Sequence, residues 1–155
     1  MKLILHTNSA VETKKIGRIL GKLLSAGNVL TLKGELGAGK TTLVKGIAGG
    51  LGVKHENAVC SPTFVLIHEY QGREKIYHLD WYRLTRVEGP DAEMAEECFN
   101  SSAVTLVEWP ERGKKLLPAS AWHAVLSHRG PKKRRLVLSI PKAIGSYLLQ
   151  RLKKK

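Results

Sequence analysis

The chain has 155 residues, 43% hydrophobic and 25% charged, with a net charge of +13. This length and balance suit one domain with its own core and exclude disorder over most of the chain. No apolar run approaches the roughly 18 residues that cross a bilayer, and Leu3-Ile4-Leu5 is shorter than the ~7–15-residue core of a signal peptide, so the expected location is the cytoplasm.

Leu3–Leu5 reads as a short strand. Ser9-Ala10-Val11-Glu12 is a capping-box pattern, and Ile16, Ile19, Leu20, Leu23 and Leu24 continue it as one apolar helical face. Gly27 is expected to supply its left-handed stop. Val29–Leu32 reads as a strand ending at Gly34, followed by a glycine-rich loop and a helix from about Lys40 to Leu51. Gly46, Gly49 and Gly50 weaken that helix by about 1 kcal/mol each relative to alanine, so packing or a ligand must hold it. Phe64–Tyr70 and Lys75–Leu79 read as strands around Gln71-Gly72-Arg73, Asp91–Phe99 as a short helix, and Val104–Val107 as a buried strand. Trp122–His128 and Arg134–Ile140 form a hairpin around Gly130-Pro131, and Ile144–Leu152 a last helix. Together these give an α/β three-layer pattern with antiparallel additions. Cys60 and Cys98 lie outside any CxxC spacing and read as reduced packing thiols.

Gly34-Glu35-Leu36-Gly37-Ala38-Gly39-Lys40-Thr41 fits G-x-x-x-x-G-K-[ST] at every fixed position. The glycines let successive backbone N–H groups turn inward on phosphate oxygens, and the following helix adds the positive end of its dipole. Lys40 is placed to reach the β- and γ-phosphates, and the Thr41 hydroxyl to ligate Mg²⁺. The flanking strand and helix are the context that the motif requires. Two acids, Asp80 and Glu108, stand just past the C-terminal ends of predicted strands, the edge at which open α/β sheets bind ligands. Both are candidates for holding the metal or orienting the attacking water, and spacing does not choose between them. His78 shares a strand face with Asp80 and reads as packed rather than catalytic.

The charge is unevenly placed. Residues 1–111 hold all 13 acids and 13 basic residues; residues 112–155 hold the other 13 basic residues and no acid. The densest pieces are Lys132-Lys133-Arg134-Arg135 and Lys153-Lys154-Lys155. Two readings stay open: a footprint for a polyanion such as RNA or an acidic protein, or a solvated turn and tail. No aromatic residues alternate with the basic ones, which disfavours a single-strand reader.

Gly34–Thr42 (GELGAGKTT), Ser61–Phe64 (SPTF), Tyr77–Leu84 (YHLDWYRL), Leu106–Gly113 (LVEWPERG) and Leu116-Leu117-Pro118, in this order, resemble the bacterial TsaE (YjeE-like) ATPase family. The resemblance implies a P-loop NTPase-like fold with a mixed, mostly parallel central sheet and antiparallel C-terminal strands, over residues 1–141, with 142–155 as a basic helix or tail. It implies a weak, partner-stimulated ATPase that binds ATP or ADP with Mg²⁺. Such a protein acts with a threonylcarbamoyl transferase subunit and its inactive paralogue (TsaD-like and TsaB-like proteins) in making threonylcarbamoyladenosine in tRNA, with tRNA itself a possible contact of the basic C-terminal region. By position, Glu35, Leu36, Gly37, Ala38, Gly39, Lys40, Thr41 and Thr42 match the nucleotide loop. Thr41, Asp80 and Glu108 match metal positions. Lys40, Asp80, Glu108 and Thr63 match catalytic ones, Thr63 within a switch-like loop. Trp109 and Arg83 match positions near the nucleotide. Glu88–Ser102 and the chain after Pro118 depart from the family pattern. A small-molecule kinase would need an acceptor pocket and an arginine-bearing lid, for which this length leaves little room; a non-enzymatic RNA-binding module would rest on the basic region.

Overall fold

A computed structural model describes residues 1–153; Lys154 and Lys155 of the expected tail lie outside the described residues. The elements are β1 (Lys2–Thr7), α1 (Ala10–Leu23), β2 (Val29–Lys33), α2 (Lys40–Gly50), β3 (Ile67–Gln71), β4 (Lys75–Asp80), α3 (Pro90–Asn100), β5 (Val104–Glu108), β6 (Trp122–His128), β7 (Arg134–Ser139) and α4 (Lys142–Lys153). Among the described residues, seven strands form one sheet in the order β1-β7-β6-β2-β5-β4-β3. The central strands β6, β2, β5 and β4 run parallel. Both edges are antiparallel: β1 on β7, β7 on β6, and β3 on β4. The mixed α/β sheet is as expected, with β3 adding an antiparallel edge beyond the C-terminal pair.

Alternation along the strands sends side chains to two cores. Leu30, Leu32, Leu106, Leu126, Leu136 and Leu138 pack with α1, α2 and α4, including the buried Leu148. Val29, Leu79, Trp81 and Val107 pack with α3 through Ala95 and Cys98. No helix among the described residues is long and apolar enough to cross a membrane.

The glycines of α2 are explained by its neighbour. A Cβ on Gly46 would run into the Lys14 carbonyl oxygen of α1, and one on Gly17 into that of Leu43. The two helices lie backbone against backbone, so glycine is required although it weakens the isolated helix. Packing holds α2, and through it the start of the helix at Lys40.

Two expectations are corrected. Gly27 has a left-handed φ of 81°, but α1 has already ended at Leu23 with an extended Leu24 cap. Gly27 instead turns the chain into β2, donating its N–H to Ala103 O at 2.8 Å. The strand expected over 64–70 begins only at Ile67. Leu66, at φ 66°, bends Phe64–Leu66 out of the sheet, and the N–H groups of Val65 and Leu66 close on Pro62 O. The forward half of the capping box forms as expected, Glu12 N–H donating to Ser9 Oγ, while the Glu12 carboxylate reaches one residue further back and accepts from Asn8 N.

Candidate functional site

β2 lies between β5 and β6 and delivers Gly34–Gly39 to the C-terminal edge of the parallel strands. Gly37 and Gly39 take left-handed φ values of 74° and 103°, which glycine adopts at little cost. Gly39 caps α2 without a side-chain bond, so the N–H groups of the first turn keep their anion-binding capacity. Lys40 Nζ folds over this loop, donating to Gly34 O at 2.6 Å and Glu35 O at 2.9 Å, and sits 4.7 Å from the Trp109 ring centroid. Burial draws its pKa down, while Glu108 and Asp80 pull it back up.

β4 and β5 pair with Asp80 opposite Glu108, so one register sets both acids at the loop. Both are 2% exposed. Asp80 Oδ2 accepts from Thr63 Oγ1 at 2.9 Å, and Oδ1 from Tyr82 N at 2.8 Å. Glu108 Oε1 accepts from Ser61 Oγ at 2.7 Å and faces His78 Nε2 at 2.9 Å. Ser61 Oγ is also 2.9 Å from Thr41 Oγ1, so one chain of contacts joins His78, Glu108, Ser61 and the loop threonine. Burial raises the Glu108 pKa, but His78, Ser61 and Lys40 outweigh it and hold the carboxyl below its ordinary value. His78 is fully buried, and its Nδ1 has no partner among the described residues.

Among the described residues, the two non-glycine residues with left-handed φ both flank this cleft: Leu66, whose carbonyl accepts from Asp80 N, and Trp109 (φ 58°), after Glu108. Such conformations cost about 1–3 kcal/mol and concentrate at functional sites. The turn at Trp109 lays its indole beside Lys40 and 5.0 Å from the Tyr82 ring.

Lys40, Thr41, Thr42, Thr63, Asp80, Glu108 and Trp109 thus share one cleft of about 380 Å³, with Leu36, Gly37 and Gly39 in its wall. Glu35 and Ala38 lie on the other side of the loop, facing the β6 end. Arg83 stacks its guanidinium 4.9 Å from the exposed Phe64 ring and lies outside the cleft lining. A neighbouring hollow, between the start of α1, Thr42 and the β6–β7 hairpin, joins the cleft at Gly39 and Arg134.

Ser61 and Arg134 were not singled out from sequence. Ser61 lay inside the SPTF run, but its role as the link between Thr41 and Glu108 needs the fold. Arg134 looked like one more charge in a basic turn. It reaches back to the loop, donating to Gly37 O at 3.3 Å, and its Nη1 bonds the hairpin carbonyls of Gly130, Pro131 and Lys133. Contact across 97 positions leaves no local signature.

The family model described as "Threonylcarbamoyl adenosine biosynthesis protein TsaE" matches residues 7–136. This carries the match past Pro118, through β6 and into β7. A tRNA threonylcarbamoyladenosine biosynthesis protein TsaE from Treponema pallidum is 44% identical over 112 residues, covering 72% of this chain and 82% of that protein. The protein of the same name from Bacillus subtilis is 40% identical over 142 residues, covering 91% of this chain and 85% of its own. The crystal structure of Bacillus subtilis YdiB superposes with a TM-score of 0.75 at 32% identity, over 99% of this chain and 95% of that one.

Proposed function

The chain belongs to the TsaE family of threonylcarbamoyl adenosine biosynthesis proteins, and on that premise we propose that it binds ATP or ADP with Mg²⁺ and hydrolyses ATP in support of tRNA threonylcarbamoyladenosine formation. The observation that carries this reading is the contact chain His78–Glu108–Ser61–Thr41, closed around the phosphate loop beside Lys40 and Asp80. The loop N–H groups and Lys40 bind phosphate oxygens. Lys40 exchanges its bonds to Gly34 O and Glu35 O for phosphate when nucleotide enters. Arg134 adds a second cation at the loop mouth, and the hollow beside Thr42 accommodates the nucleoside.

The donor set fits Mg²⁺. The Thr41 hydroxyl and the Asp80 and Glu108 carboxylates are hard oxygen ligands, whereas no group of three or more His, Cys, Asp or Glu able to hold a metal by itself occurs among the described residues. Magnesium is commonly held by one or two carboxylates together with substrate phosphates. When bound it neutralises charge developing on the phosphoryl oxygens. Both Asp80 oxygens already accept protein hydrogen bonds, while Glu108 is engaged only through Oε1. Glu108 Oε2 is therefore the oxygen free to orient an attacking water, and Asp80 steadies Thr63 next to the transferred phosphoryl group. Partners of the threonylcarbamoyl-transferring kind (TsaD-like and TsaB-like) couple this cycle to the modification.

The test is steady-state ATP hydrolysis with and without those partners. Asp80→Ala and Glu108→Ala lower turnover by about 10²-fold or more, the scale at which positioned electrostatics contribute to catalysis. Wild-type turnover in a folded Glu108→Ala protein would refute the assignment.

A further inference from the structure

The second face of the sheet is only half covered. α3 and the 110–117 segment lie over β4, β5 and β2, the segment reaching the β6 edge beside His123 and Val125, while α1, α2 and α4 all pack on the opposite side. Over β1, β7 and β6 the second face meets solvent. Strand register arranges it in three rows: Lys2, Ser139 and His123; Ile4, Val137 and Val125; His6, Arg135 and Ser127. Lys33 extends the middle row. Ile4 is 52% exposed and Val125 40%, with Val137 buried between them.

The strands of this face carry basic and no acidic side chains, and the carboxylates that border it, Glu35 and Glu111, line the hollows at its β6 edge. β1, β2, β6 and β7 contain no Asp or Glu. Among the described residues no carboxylate forms an ion pair with Lys2, Lys33 or Arg135, although Lys14 and Arg18 on the helix side both pair with Glu56. The hairpin tip prolongs the face with the exposed Arg129 and Lys133. On the same side, α3 carries Asp91, Glu93, Glu96 and Glu97. A polyanion is thus attracted to one half of the face and repelled from the other, which fixes its orientation.

We infer that this open half of the sheet, with the β6–β7 hairpin tip, is a docking surface for the phosphate backbone of double-helical RNA. Cations and hydroxyls are the groups that contact phosphate and ribose. Protein interfaces, by contrast, are enriched in aromatic and Met anchors and depleted in Lys, and this face has neither Met nor Phe, Tyr or Trp. The same lack removes the stacking platforms on which single strands are held. The function proposed above enters only in the choice of tRNA as the probe.

The test is fluorescence anisotropy of an end-labelled, unmodified tRNA transcript titrated from about 0.05 to 0.2 M salt, where phosphate contacts show as a log–log slope. Lys2→Gln/Lys133→Gln/Arg135→Gln weakens binding about tenfold or more and flattens the slope by about 2–3, since each lost contact removes about 0.7–0.9. Lys142→Gln/Arg151→Gln/Lys153→Gln, with the same charge removed from the helix side, leaves affinity and slope near wild type. Arg129→Gln/Lys133→Gln, confined to the hairpin tip, gives the same direction of change without touching β1. Equal losses in the two triple variants overturn the surface, because net charge alone then explains binding. Tight binding of unstructured oligouridine, or of vesicles containing phosphatidylglycerol in preference to tRNA, also overturns it. ATP titrations of the same proteins separate the two proposals. The face variants keep nucleotide affinity, and Lys40→Ala keeps tRNA affinity, so loss of one binding activity leaves the other standing.

Discussion

Replacing Gly46 by alanine in the middle of α2 should destabilise the protein, against the ordinary rule. In an exposed helix the change gains about 1 kcal/mol. Here the new methyl meets the Lys14 carbonyl oxygen, which belongs to the α1 backbone and cannot rotate away. Gly50 meets Arg18 O in the same way one turn later, and Gly17 and Gly21 reciprocate from α1. The helices must part along their whole contact, loosening Ile16, Leu20, Leu43, Val44 and Ile47, all buried between them. Overpacking of this kind costs typically 1–3 kcal/mol or more, and the propensity gain offsets only part of it. A net loss of about 2 kcal/mol corresponds to a fall in Tm of roughly 4–8 °C for a domain of this size. Because α2 begins at Lys40, nucleotide affinity should fall as well. Far-UV circular dichroism melts check the first effect and ATP titration the second. A rise in Tm for Gly46→Ala would refute the close backbone packing of α1 on α2.

Arg134→Ala should weaken ATP binding about tenfold, because it removes a charge-assisted contact at the loop mouth and frees the hairpin carbonyls it ties together; unchanged affinity in calorimetry contradicts this. The Glu108 carboxyl is held below its ordinary value of 4.5, so its contribution to stability is complete above that pH and is lost as pH falls through the native value. Urea unfolding below pH 4.5 should therefore lose stability less steeply in Glu108→Gln than in wild type, and parallel slopes would exclude a depressed native pKa. Burial pushes the Cys98 thiol up to about 11 while Cys60 is exposed, so iodoacetamide at neutral pH should alkylate Cys60 first. Peptide mapping that finds Cys98 modified first would contradict the packing of α3.

Most of the frame was legible because its signals are local. The apolar face of α1, the runs ending at Asp80 and Glu108, and the loop ahead of Lys40 each announce themselves within a few residues. Two strand ends sufficed to place both acids, because parallel neighbours in register bring their C-terminal residues to one edge. What was not legible depends on contacts far apart in sequence. The α2 glycines look like defects until α1 lies against them. Ser61 becomes a bridge only when β5 brings Glu108 beside Thr41. Arg134 was hidden by its own neighbours, since Lys132, Lys133 and Arg135 carry the same charge and none of them bonds the loop. Phe64–Leu66 has the composition of a strand, yet a left-handed Leu66 bends it out of the sheet.

Calorimetric titration of ATP, ADP and GTP with Mg²⁺ into the wild-type protein and Lys40→Ala is the measurement to make first. Binding precedes any dependence of turnover on partners, so it reads the cleft alone. Lys40 bridges Gly34 O and Glu35 O over the loop, and its removal should abolish saturable binding while the fold, followed by circular dichroism, stays intact. Adenine-selective binding to wild type that disappears in Lys40→Ala is the expected result. Equal ATP affinity in the two folded proteins would contradict the assignment of this loop, and with it the proposed ATPase.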